Sequence, residues 1–168
     1  GIRYLDVPVS GTSDQVRRGD GVALIGGETA IVTELKDVFD ALFARSFHIG
    51  KVGDGGRAKL AVNLILGLNR LALAEGLVFA ERLGLDPSAF LDVAKGSASY
   101  SQVMDTKGTK MVRGDFAPEG RVKQTLKDCH LMLDQAATAG QKLSALQTHA
   151  DVLEACVQAG DADLDNSV

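Results

Sequence analysis

Residues 50–83 read GKVGDGGRAKLAVNLILGLNRLALAEGLVFAERL, and this stretch decides how the rest of the chain is read. From position 56 to 83 there is no proline, and strong helix formers dominate, so the spacing predicts one long helix. At a rise of ~1.5 Å per residue it would run roughly 40 Å, enough to cross a domain. Apolar residues occur almost all round it, which predicts a buried helix. Gly84 supplies a C-terminal stop. Asp86-Pro87 then opens the next helix, with Asp at the cap and Pro at the first position.

Two textures lie on either side. Residues 1–50 read as α/β. Short apolar runs at 4–9 and 21–25 predict strands, 28–44 has helical spacing, and 45–49 predicts a last short strand. Beyond position 53 nearly everything is helical. Residues 97–111 carry a weak helical pattern, 114–120 a loop, and 121–139 and 143–159 two further helices. The expected fold is the tail end of a Rossmann-type sheet, joined by the long helix to an all-helical C-terminal domain, with domains at 1–52 and 53–168. No G-x-G-x-x-G follows a strand, and the glycine cluster at 50–56 has the wrong spacing for one. An α/β edge without its beginning predicts a truncated nucleotide-binding domain.

The chain has 168 residues, 45% hydrophobic, with no Trp and a net charge of −4. A core of Leu, Val, Ile and Ala suits packed helices, and the absence of a basic footprint argues against nucleic acid. Cys129 and Cys156 stand far apart outside any C-x-x-C spacing, so neither a disulfide framework nor a zinc site is expected, and a cytoplasmic setting follows. The apolar run at 60–83 is interrupted by Asn63, Asn69, Arg70, Glu75, Glu81 and Arg82, which predicts no membrane span.

Three places could carry chemistry. Lys59 and Asn63 are four residues apart, so they share one helix face, and Gly67 continues the stripe. Such a lysine either snorkels to solvent or, if burial lowers its pKa, exchanges a proton with a substrate. The strand 4–9 runs into Ser10-Gly11, a hydroxyl beside exposed backbone N–H groups, suited to a carboxylate or serving as an ordinary strand-to-turn junction. Lys127-Asp128 lies inside a helix, where adjacent residues diverge, so it reads as a solvated pair.

Taken in order, these segments resemble the β-hydroxyacid dehydrogenase family, the group of 3-hydroxyisobutyrate dehydrogenase and tartronate semialdehyde reductase. The family's D-x-P-V-S-G-G motif stands here as Asp6-Val7-Pro8-Val9-Ser10-Gly11-Thr12, followed by Leu24-Ile25-Gly26-Gly27. Its G-x-x-G-x-G-x-x-x-K-x-x-N-N motif is matched by Gly50, Gly53, Gly55, Lys59 and Asn63. Its late G-D-F-x-P and K-D-L segments are matched by Gly114-Asp115-Phe116-Ala117-Pro118 and Lys127-Asp128, and its G-x-x-D-x-S ending by the tail at 161–167. Three positions depart from the pattern: Thr12 for a glycine, Val62 for the first asparagine, and Gly120 for an aromatic.

The resemblance implies a substrate loop at Ser10, Gly11 and Thr12, with the carboxylate held by Ser10 and Gly11. Lys59 would donate or accept the hydroxyl proton, Asn63 would orient the substrate, and Lys127 would sit near an NAD or NADP cofactor. The implied partner is a small hydroxyacid, and the helical domain would form a homodimer or larger oligomer. Because the cofactor fingerprint belongs upstream of Asp6, these residues alone are expected neither to bind the cofactor tightly nor to turn over. The competing readings are a non-catalytic helical interaction module and a sugar-phosphate dehydrogenase of related build.

Other features read as structural. His48, His130 and His149 have no partners at metal spacing, so no metal is expected. Asp161, Asp163 and Asp165 alternate as in a calcium loop but lack its glycine and closing glutamate, which predicts a solvated tail. Phe39, Phe43, Phe79 and Phe90 fall on apolar helical faces and predict core positions.

Overall fold

The structure is a computed structural model that describes residues 2–168. It divides into two compact units, Gly1–Asn63 and Leu64–Val168.

The first unit holds a three-stranded sheet in the order β1 (Val9–Ser10), β2 (Val22–Gly26), β3 (Arg45–Gly50). β1 runs antiparallel to β2, with Ser10 opposite Val22, and β2 runs parallel to β3. The strand expected at 4–9 is regular only at its end, because Pro8 has no N–H to give a ladder. Pairing nevertheless reaches back to Asp6, which exchanges both backbone hydrogen bonds with Gly26 at 3.0 and 2.8 Å. The helix expected over 28–44 is two helices, α2 (Thr29–Glu34) and α3 (Lys36–Leu42), broken where Leu35 adopts φ −94° and ψ 8°. Ala23, Ile25 and Phe39 form the core, flanked by Leu5, Val7, Val32, Leu35 and Phe43. Fully apolar β2 is what a central strand covered on both faces requires. One helix went unanticipated: α1 (Ser13–Arg17), a single turn held by a capping box between Thr12 and Gln15.

The long helix α4 spans Asp54–Arg82 and runs from the first unit into the second. In the second unit it is followed by α5 (Pro87–Lys95), a π-helical turn (Met104–Gly108), α6 (Thr109–Arg113), α7 (Val122–Thr138) and α8 (Ser144–Ala159). Asp86 caps α5 through Ala89 N–H at 2.8 Å, with Pro87 in the first turn, as the sequence predicts. Leu73 and Leu77 of α4 pack with Leu91, Ala94, Val103 and Met104, and Phe90 joins from the edge.

Two expectations are corrected here. α4 is not a buried helix: Ile65, Leu66, Val78 and Phe79 stand exposed, Phe79 at 66%, so Phe79 is not a core residue. A chain this short has too few elements to wrap a helix of 29 residues. By length and composition alone α4 would also suffice to cross a membrane, despite its polar interruptions. The acidic tail, in turn, is not a solvated strip. Asp165 and Ser167 are buried, and the tail pairs back onto the start of α7, Val122 N–H donating to Leu164 C=O at 3.1 Å.

Candidate active site

Ser10, Gly11, Thr12, Lys59 and Asn63 all belong to the first unit, whereas Lys127 lies on α7 in the second. Ser10 is the half-buried last residue of β1. Gly11 follows with φ +141° and only ordinary contacts around its missing Cβ, so conformation rather than space calls for glycine there. Thr12 has a clear local use. Its hydroxyl accepts from Gln15 N–H at 3.2 Å and its own N–H donates to the Gln15 side chain at 2.8 Å, which starts α1 where the family carries a second glycine.

Lys59 and Asn63 are half-buried and one turn apart on α4. The residue that anchors this helix to the strand ending in Ser10 is Asp6. Its carboxylate accepts from Gly53 N–H at 2.7 Å and Gly56 N–H at 2.9 Å, capping the helix that carries Lys59 three residues later. Burial alone would raise the Asp6 pKa. The backbone N–H groups of Gly53, Gly56 and Gly55 outweigh it and hold the carboxyl below the usual carboxylate range. Asp6 therefore stays ionised at the positive end of α4, where a negative charge is favoured.

Gly55 of the lysine motif and Gly26 of β2 follow from this contact. A Cβ on Gly55 would stand 2.5 Å from Leu24 C=O and 2.8 Å from Asp6 Oδ2, and a Cβ on Gly26 would stand 2.2 Å from Asp6 Oδ1. Helix, strand and carboxylate meet too closely for any side chain. His48 secures the neighbouring turn, its Nε2 lying 2.9 Å from Gly27 C=O and 3.0 Å from Gly50 C=O. The sequence reading missed Asp6 as a site residue. Its signal was a carboxylate four positions before Ser10, at the head of the D-x-P-V-S-G segment. Asp6→Ala is expected to cost about 1–2 kcal/mol, read as a lower urea midpoint with an unchanged slope. An unchanged midpoint would contradict the anchoring role.

The Gly53 and Gly56 N–H groups are taken up by Asp6. Lys127 is exposed on α7, and Asp128 beside it is half-buried.

Residues 53–168 match the family described as NAD-binding of NADP-dependent 3-hydroxyisobutyrate dehydrogenase, and residues 1–50 the NAD binding domain of 6-phosphogluconate dehydrogenase. The chain is 30% identical over 164 residues to 2-hydroxy-3-oxopropionate reductase of Escherichia coli, covering 98% of this chain and 56% of that protein. It is 29% identical over 167 residues to the cytokine-like nuclear factor N-PAC of Aedes aegypti, covering 99% of this chain and 30% of that protein. Among solved structures, 3-hydroxyisobutyrate dehydrogenase from Salmonella typhimurium superposes with a TM-score of 0.89 at 29% identity, covering 97% of this chain and 57% of that one. The chain thus spans little more than half the length of such enzymes. With family matches over nearly its whole length, a shared fold, and the substrate-loop and lysine motifs joined through Asp6, the chain belongs to the β-hydroxyacid dehydrogenase family.

Proposed function

We propose that these residues are part of an NAD(P)-dependent oxidoreductase that interconverts a small β-hydroxyacid and its semialdehyde or ketoacid. The observation that carries the reading is the Asp6 clamp, which ties the strand ending in Ser10 to the helix bearing Lys59 and Asn63. Ser10 and Gly11 hold the substrate carboxylate, and Thr12 closes the loop behind them by capping α1. Lys59 gives a proton to the substrate oxygen in reduction and takes it back in oxidation, and Asn63 hydrogen-bonds the substrate to keep that oxygen in reach. The nicotinamide supplies or accepts the hydride. Lys127 is the residue of this chain assigned to the cofactor, and the glycine-rich fingerprint for its phosphates is assigned to a segment upstream of Asp6. These 168 residues by themselves are therefore expected to hold NADH or NADPH weakly. A fluorescence titration showing low-micromolar binding would overturn that.

The exposed apolar residues of α4 support a homo-oligomer that covers them. Two free thiols, Cys129 buried and Cys156 half-buried, suit a reducing, cytoplasmic setting.

The likeness to a protein named as a nuclear factor favours one second reading, a non-catalytic module. Full-length protein assayed for nicotinamide reduction with a panel of β-hydroxyacids and with 6-phosphogluconate separates the readings. Turnover of the hydroxyacids supports the proposal. Turnover of the sugar phosphate alone, or of nothing, refutes it.

A further inference from the structure

Thr12 and Gln15 stand three residues apart across the first turn of α1, a spacing at which a hydroxyl and a carboxamide cap each other's backbone. Thr12 Oγ1 accepts from Gln15 N–H at 3.2 Å, and Thr12 N–H donates to Gln15 Oε1 at 2.8 Å. The second bond folds the half-buried Gln15 side chain back against Gly11. A Cβ on Gly11 would stand 3.5 Å from both Gln15 Cβ and Gln15 Oε1. A neutral oxygen acceptor therefore lies along the loop and takes up the backbone N–H that follows Gly11. The glycine of the family pattern, which Thr12 replaces, has no hydroxyl with which to complete such a box.

An N–H has one hydrogen, so a substrate oxygen must compete with Gln15 Oε1 for Thr12. The basic side chains that follow the loop bring no compensation, because both are paired. Arg17 meets Asp14 on the same turn, and Arg18 meets Asp20 at 3.3 Å. Ser10 and Gly11 are left to hold an anion by a hydroxyl and backbone groups. A singly charged carboxylate suits such donors, whereas a phosphate dianion is usually met by arginine or lysine.

We propose that Gln15 is a specificity-determining residue: by occupying Thr12 N–H it restricts the loop at Ser10 and Gly11 to a singly charged carboxylate held by those two residues. This rests on the reading of that loop as the substrate-carboxylate site. Gln15 acts through Thr12 and touches no reacting atom, so its effect falls on substrate affinity and not on the chemical step.

The test compares full-length wild type with Gln15→Ala and Gln15→Glu, using 3-hydroxypropionate and its uncharged methyl ester. Gln15→Ala removes the competing oxygen but keeps the backbone N–H that bonds Thr12 Oγ1, so α1 still starts at Thr12. KM for the acid should fall about tenfold, the scale of one hydrogen bond to a charged group, with kcat and the KM for the ester unchanged. Gln15→Glu keeps an oxygen on Thr12 N–H and adds a negative charge beside Gly11. KM for the acid should then rise at least about tenfold, and that for the ester should not. Should Gln15→Ala not fold, an unchanged acid KM in Gln15→Glu overturns the proposal. With isotope-labelled glycine and threonine, the acid should move the Gly11 N–H resonance in wild type and Gln15→Ala, and the Thr12 N–H resonance further in Gln15→Ala; inorganic phosphate should leave Gly11 unmoved in wild type. This readout needs no turnover. Gly11 unmoved by the acid in either protein removes the carboxylate loop, and this proposal with it. Gly11 moving while Thr12 moves alike in both, acid and ester KM rising together in Gln15→Ala, or phosphate moving wild-type Gly11 as the acid does, overturns the proposal alone.

Discussion

Lys59→Ala in the full-length enzyme is expected to lower kcat by about 10²–10⁴-fold with the fold intact. Proton transfer by a positioned side chain contributes on that scale, equivalent to about 3–5 kcal/mol of barrier. Lys59 lies in the second turn of α4, half-buried and one turn ahead of Asn63, and Asp6 fixes the start of that helix. Alanine is the best helix former, so the backbone bearing Asn63 should keep its course. Lys59→Arg should not rescue the rate, because a guanidinium keeps its charge but does not release its proton at accessible pH. Turnover within tenfold of wild type, measured with saturating hydroxyacid, would contradict the assignment.

The second large effect is on stability. Asp165→Ala should destabilise by about 3–5 kcal/mol, the usual cost of breaking a buried ion pair by removing one partner. Asp165 is fully buried, and Lys107, itself 7% exposed, reaches both its oxygens at 2.9 Å. Without it, the counter-charge left to Lys107 among the described residues is half-exposed Glu119, at 2.8 Å. The start of α7 loses its tie to the tail as well, because Glu119 N–H and Gly120 N–H both donate to Asp165. A fall in melting temperature of about 10 °C or more is expected for a chain of this size. Asp165→Leu combined with Lys107→Met should recover much of the loss, since an apolar pair leaves no charge stranded.

The sign of the pH dependence follows. Burial pushes the Asp165 carboxyl up, but Ser167, Lys107 and the backbone N–H groups outweigh it and bring it down to about 2 from 3.8. Its contribution is complete above pH ~4 and is lost as pH falls toward 2. A midpoint that does not move in Asp165→Ala would rule out the tail as a structural lock.

The helices were legible because period and punctuation agree. Gly84 stops α4 and Asp86-Pro87 starts α5, each by local chemistry that needs no tertiary partner. The D-x-P-V-S-G segment at 6–11 and the helix bearing Lys59 were legible as motifs. What joins them was not: Asp6 meets Gly53 and Gly56 across 47 and 50 residues, and no local period encodes such a contact. The break at Leu35 was hidden because apolar residues keep one helical phase on both sides of it. Asp165 was misread because its acidic neighbours Asp161 and Asp163 suggest solvent, whereas Lys107, 58 positions earlier, and the N–H groups of Glu119 and Gly120 help make its burial tolerable.

The proton role of Lys59 is tested most directly by the pH dependence of kcat/KM in both directions, for wild type and Lys59→Ala. Reduction needs the ammonium and should lose rate as pH rises through its titration. Oxidation needs the neutral amine and should lose rate as pH falls through it. The account predicts that both limbs vanish in the variant, leaving a low, flat profile. Limbs that persist unchanged in Lys59→Ala would show that another group handles the proton.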